Sequence, residues 1–120
     1  TDMIRFREDD RGSMYVTEYG DPQADRAMFD YMLSYSPYHN VRQGVTYPAM
    51  YLQTGEMDNN VPSNHAKKFA ARMQRYANPG RPVLLTVLAH GSHNRGVGEE
   101  HDVNIARMQA FIEIFLNDAK

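Results

Sequence analysis

An aspartate and a histidine that stand in the loops after two consecutive strand-like runs are the residues of this sequence best placed for chemistry. Asp58 lies in Thr54-Gly55-Glu56-Met57-Asp58-Asn59-Asn60, and His93 lies in Gly91-Ser92-His93-Asn94. A carboxylate can hold an imidazole in one tautomer and stabilise its cation, and an imidazole so held serves as general base and acid. Such a pair needs a nucleophile to act with. The competing chemistry is a metal site from His90, His93 and His101 with Glu99 or Glu100. These positions hold no helical His-x-x-x-His pair and close no recognised ligand motif, so no metal and no cofactor is expected. Taken singly, an aspartate after a strand is a turn or cap residue and a loop histidine is a solvated side chain. The weight of the pair therefore rests on the elements that position it.

A helix is predicted to begin at Asp21-Pro22, with Asp21 as cap, Pro22 in the first turn and Ala24, Met28, Tyr31 and Tyr35 on one face; Ser36-Pro37 ends it. The short apolar run over 47–53 stops at Thr54-Gly55 and reads as a buried strand, with Pro48 at its start. Ser63 is the expected cap of a second helix that puts Ala66, Phe69, Ala70, Met73 and Tyr76 on one face and stops at Asn78-Pro79-Gly80; His65 is assigned to the surface of its start. The run Val83-Leu84-Leu85-Thr86-Val87-Leu88 is apolar on both faces and reads as a central strand of a parallel sheet. A last helix over about 100–117 has an acidic first turn and directs Val103, Met108, Phe111, Ile112 and Phe115 toward a core.

The class is α/β. A strand-helix-strand unit of this length is a right-handed parallel crossover, so both strands end at the same sheet edge and their following loops are neighbours. Ligands of open α/β sheets bind at that edge. If the two strands are adjacent, about 4.8 Å apart, Asp58 and His93 come within hydrogen-bonding reach.

The bulk properties exclude several classes. With 120 residues, 42% of them apolar, the chain is one domain or part of one. Thirteen basic and 15 acidic residues give a net charge of −2 without like-charge runs, so no nucleic-acid or membrane partner is expected. Cysteine is absent, which removes disulfides and a thiol nucleophile. The longest strongly apolar stretch, 83–89, is far shorter than a membrane helix, so a soluble protein is expected, with cytoplasm and periplasm both open. Residue 1 is Thr, and Thr1-Asp2-Met3-Ile4-Arg5-Phe6 carries no capping or targeting signal, as in a segment that continues a longer chain.

Tyr19-Gly20, Tyr35-Ser36-Pro37-Tyr38-His39-Asn40-Val41, Tyr47-Pro48-Ala49-Met50 and the stretch from Thr54-Gly55 through Asp58-Asn59-Asn60-Val61-Pro62 resemble, in order and spacing, the prolyl oligopeptidase family of serine peptidases. The resemblance implies the C-terminal part of an α/β-hydrolase catalytic domain, incomplete as a domain. The nucleophile-bearing half and any β-propeller would lie outside residues 1–120. It implies a triad in the chain order Ser, Asp, His, with Asp58 as the acid. His90 and His93 both fall near the place of the base, and counting forward without a gap from Pro82 lands on His93. By the same carry-over Tyr15 stands where the proline-specific enzymes have a Trp that stacks on the substrate proline. Asn60 stands where they have a substrate-binding Arg, and its Asp-x-Asn setting resembles the dipeptidyl-peptidase branch. Tyr15 and Asn60 are thus the expected substrate contacts, and His39 is expected to buttress the fold.

The function implied is the acid-base half of a serine peptidase that hydrolyses oligopeptides at prolyl bonds through an acyl-enzyme, inactive as this segment alone. The alternatives are a noncatalytic binding or assembly module of the same fold, or a dipeptidyl-peptidase or esterase relative. The partners implied are an oligopeptide and either the N-terminal part of the same protein or a second copy.

Overall fold

A computed structural model describes residues 1–93 and 98–117; residues 94–97, in the loop expected after the second strand, and 118–120 lie outside the described residues. Two 3-10 turns, Phe6–Glu8 and Gly12–Tyr15, lead into the short helix α1 (Val16–Tyr19). Helices α2 (Arg26–Tyr35) and α3 (Pro37–Asn40) follow. Then come β1 (Met50–Gly55), α4 (Asn64–Arg75), β2 (Val83–Leu88) and α5 (Glu99–Asn117).

The two strands pair in parallel, Met50 opposite Val83 and Gly55 opposite Leu88. Alternation along β1 sorts its side chains between two layers. Met50 and Leu52 pack against a core of Val41, Met73 and Val83, on the α4 side. Tyr51 and Gln53 point the other way, to α5, where Asn104 is only 2% exposed. The Tyr51 hydroxyl donates to Asn104 Oδ1 at 2.7 Å, and Asn104 Nδ2 donates to Gln53 Oε1 at 2.6 Å. Tyr51 has one proton and gives it to Asn104, so the Thr86 hydroxyl, 2.8 Å away, is the donor in their bond. This polar chain from Thr86 through Tyr51 and Asn104 to Gln53 ties α5 to both strands.

The N-terminal segment is better anchored than its sequence indicates. Asp2 is 1% exposed; Lys68 donates to its Oδ2 at 2.7 Å, and its Oδ1 accepts the amides of Ile4 and Arg5 at 3.2 Å. The Ser36 hydroxyl accepts the amide of Met3 and lies 2.9 Å from His39 Nδ1, while Asn40 Nδ2 donates to the carbonyls of Leu33, Ser34 and Ser36. The Tyr-Ser-Pro-Tyr-His-Asn segment is a polar clasp that closes α2 onto α3 and holds the start of the chain.

Several expectations need correction. Asp25, not Asp21, caps α2: it has extended backbone and accepts the amide of Met28 at 2.8 Å. Asp21 instead caps its own turn, accepting the amide of Gln23, and pairs with Arg7 at 2.8 Å. The buried face also differs from the expected one: Met32 is fully buried while Tyr31 and Tyr35 are 63% and 40% exposed. β1 starts after Tyr47-Pro48, because Pro48 has no N–H to give and the Tyr47 amide goes to Asn78 Oδ1. Ser63 precedes α4 through its carbonyl, which accepts the Lys67 amide; its side chain makes no cap. His65 is buried rather than on the surface. β2 has one strand neighbour among the described residues, which leaves Leu84 and Val87 exposed, along with Val103 and Ile112 of α5. No described helix is long and apolar enough to cross a membrane.

Candidate active site

Both strands deliver their chains to one edge, and two glycines let the emerging loops cross. The ladder continues past the strands: the Glu56 amide donates to Leu88 O at 2.9 Å and the Met57 amide to Gly91 O at 3.0 Å. A Cβ on Gly55 would lie 2.2 Å from Gly91 O, and one on Gly91 would lie 2.6 Å from Leu88 Cβ, so neither position tolerates a side chain without a shift. On the far side, Glu100 of α5 accepts the amides of Ala89 and His90 at 2.6 and 3.3 Å, fixing the start of the second loop.

Asp58 and His93 meet across this crossing. His93 Nδ1 lies 2.9 Å from Asp58 Oδ2 and 3.1 Å from Oδ1. Asp58 Oδ1 also accepts the amides of Asn60 and Val61, each at 2.9 Å. Burial opposes the charge on Asp58, but the Val61 amide, the His93 ring and the Asn60 amide outweigh it and hold the carboxyl below its ordinary range. With Nδ1–H committed to the carboxylate, Nε2 is the basic nitrogen of His93. The Asp58 side chain is 7% exposed and that of His93 44%, so the acid is enclosed and the imidazole reaches open space. His90 is exposed, and its side chain makes no hydrogen bond to Asp58. Among the described residues no serine hydroxyl bonds His93, and no cluster of three metal-ligating side chains occurs.

His93 and Asn60 line an open cavity of about 600 Å³ whose walls are aromatic: Phe6, Tyr15, Tyr19 and Tyr35. Tyr15 stacks on Tyr19 with ring centroids 6.1 Å apart, and Phe6 meets Tyr19 edge-on at 6.0 Å. The structure thus brings Tyr15, Asn60 and His93 to one space, with Asp58 behind. Sequence reasoning missed two neighbours. Arg11 donates to Asn60 Oδ1 at 2.7 Å. His65 forms a second aspartate-histidine pair, its Nε2 2.5 Å from Asp9 Oδ2 while its Nδ1 accepts the Asp2 amide. Both contacts join residues about fifty positions apart in sequence, where no periodicity reports them.

The comparisons with known proteins agree with the fold. The chain is 33% identical over 102 residues to the prolyl endopeptidase of Elizabethkingia miricola, covering 85% of this chain and 14% of that protein. A solved structure from a study of two prolyl endopeptidases superposes with a TM-score of 0.80 at 33% identity, over 95% of this chain and 15% of the other. Prolyl oligopeptidase B of Galerina marginata, bound to a 35-residue substrate, superposes at 0.76 with 28% identity, over 94% of this chain and 16% of the other. The chain therefore spans about a seventh of the length of such relatives, and its parallel strands and flanking helices are a portion of an α/β-hydrolase catalytic domain. The Prolyl oligopeptidase family model matches residues 1–119, and the chain belongs to that family.

Proposed function

We propose that residues 1–120 form the acid-base part of a serine peptidase catalytic domain that hydrolyses oligopeptides at prolyl bonds, the nucleophile lying elsewhere in the protein. The observation that carries this reading is the bond from His93 Nδ1 to the enclosed carboxylate of Asp58, beside an aromatic cavity. In this reading His93 Nε2 takes the proton of a serine hydroxyl as the oxygen attacks the scissile carbonyl, then gives it to the leaving amine as the acyl-enzyme forms. The same nitrogen takes a proton from the water that attacks the acyl carbonyl and returns it to the serine oxygen as the acid is released. Asp58 keeps the tautomer and stabilises the imidazolium, and its amide bonds keep it ionised throughout. Tyr15 and its aromatic neighbours offer faces to a proline ring, and Asn60 Nδ2 offers a donor to a peptide carbonyl.

The test is turnover of a proline-containing peptide by the full-length protein and by Asp58→Ala, Asp58→Asn and His93→Ala. Loss of His93 is expected to lower kcat by about 10⁴-fold or more with KM nearly unchanged, and Asp58→Asn by about 10⁴-fold, because its amide NH₂ would face Nδ1 and select the wrong tautomer. Turnover that survives all three substitutions sinks the triad reading in favour of a binding module on the same fold.

A further inference from the structure

Arg11 follows the first 3-10 turn, and its path is fixed by Gly12, where a Cβ would lie 1.7 Å from the carbonyl oxygen of Phe6. From there the guanidinium spans to the acid loop and donates to Asn60 Oδ1 at 2.7 Å. Asn60 is itself held through its amide on Asp58 Oδ1, so the cation stands one residue away from the Asp58–His93 pair. Gly12, Tyr15, Asn60 and His93 line the same cavity, and no lysine or arginine lines it among the described residues. The aspartate in its wall, Asp9, is taken by His65 and Asn64. Arg11 has no salt bridge among the described residues, and neither Asp9 nor Asp10 pairs with it. An exposed guanidinium at the rim of a largely apolar cavity, with donors beyond the one used on Asn60, is a receiver for a carboxylate.

We propose that Arg11 is a specificity-determining residue that selects peptides bearing a carboxylate close to the residue seated in the aromatic cavity. The proposal rests on the peptidase reading above and names its substrate class. Division of labour follows from the bond geometry. Arg11 occupies Asn60 Oδ1, which leaves Asn60 Nδ2 for a main-chain carbonyl and the remaining guanidinium donors for an acidic side chain.

The experiment uses the full-length protein and a peptide set built on one proline, with Glu or Gln placed in turn at each position flanking it. Affinity is measured by calorimetry on the His93→Ala protein, and kcat/KM on the protein with His93 intact. At one position or more the Glu peptide is expected to exceed its Gln twin by about fivefold in both readouts, as for a partly exposed ion pair, and the ratio is expected to shrink with added salt. Arg11→Met should bring that ratio to one, Arg11→Lys should keep part of it, and Arg11→Glu should favour a Lys peptide instead. Equal binding of Glu and Gln at every position, or a Glu preference that persists in Arg11→Met, overturns the proposal. Failure of the peptidase reading is distinct: it shows as turnover indifferent to His93→Ala, and the calorimetric ratio still decides the role of Arg11.

Discussion

Two hydrogen-bonded aspartate-histidine pairs bring their histidines to one cavity in this fold, and their surroundings give them opposite characters. His93 reaches open space from an enclosed carboxylate, whereas His65 is 6% exposed and bonded on both ring nitrogens. Burial lowers the pKa of His65 below 6.5, more than its bond to Asp9 raises it. The unfolded chain therefore takes up this proton first as pH falls through about 6.5, and stability contributed at neutral pH is lost progressively down to the folded-state value. Burial shifts His39 in the same direction, so it adds to the slope. Thermal melts of the full-length protein between pH 7.5 and 5 should show Tm falling with pH, and His65→Gln should flatten that fall even though its Tm at neutral pH is lower. An unchanged slope would place the acid sensitivity elsewhere. Asp58 was legible in the sequence because it follows a recognisable strand inside a motif-bearing stretch, whereas His93 also follows a strand but was separated from His90 only by counting forward from Pro82. His65 was misread as a surface residue, since what buries it is the N-terminal segment, which carries neither periodicity nor a capping signal.

At the scale of elements, the site depends on how closely two loops can cross. The run 83–88 was readable to the residue because it is continuous, apolar and bounded by Pro82 and Ala89-His90-Gly91. The crossing itself was not readable, since Gly55 and Gly91 look like ordinary punctuation until the parallel register sets them side by side. Gly55→Ala places a methyl 2.2 Å from Gly91 O and 2.6 Å from Ser92 O, so the loop carrying His93 must retreat from the loop carrying Asp58. Overpacking of this kind costs about 1–3 kcal/mol, and a displacement of about 1 Å in a catalytic group costs about 100-fold in rate. Gly80→Ala is the control: its φ of 76° strains an alanine by about 1 kcal/mol, but nothing lies within 4 Å of the new methyl. Melts and peptide turnover on the full-length protein should thus show both variants destabilised and only Gly55→Ala slowed. Full turnover in Gly55→Ala would mean that the crossing does not set the Asp58–His93 geometry.

For the whole molecule, the radius of gyration of 16.2 Å and extents of 45 × 38 × 21 Å describe a flattened body. A self-contained domain of this length has a radius of about 14 Å. It accompanies a two-stranded sheet whose outer edges have no strand partner among the described residues. Leu84 and Val87 of β2 remain 44% and 38% exposed, and Val103, Ile112 and Ile114 of α5 are exposed as well. Sequence patterning identified all of these except Ile114 as core-forming but could not say what covers them, because a pattern records the apolarity of a face and not its partner. An open strand edge flanked by apolar side chains is a template for further pairing. Residues 1–120 expressed alone are therefore expected to self-associate, with sedimentation velocity showing a weight-average mass that rises with concentration. Leu84→Lys together with Val87→Lys puts two charges on β2 and should return the segment to the monomer mass, since a buried unpaired lysine opposes edge pairing. A wild-type segment that stays monomeric at every concentration and melts cooperatively would show that the exposed edge is self-sufficient and that the covering-partner argument is wrong.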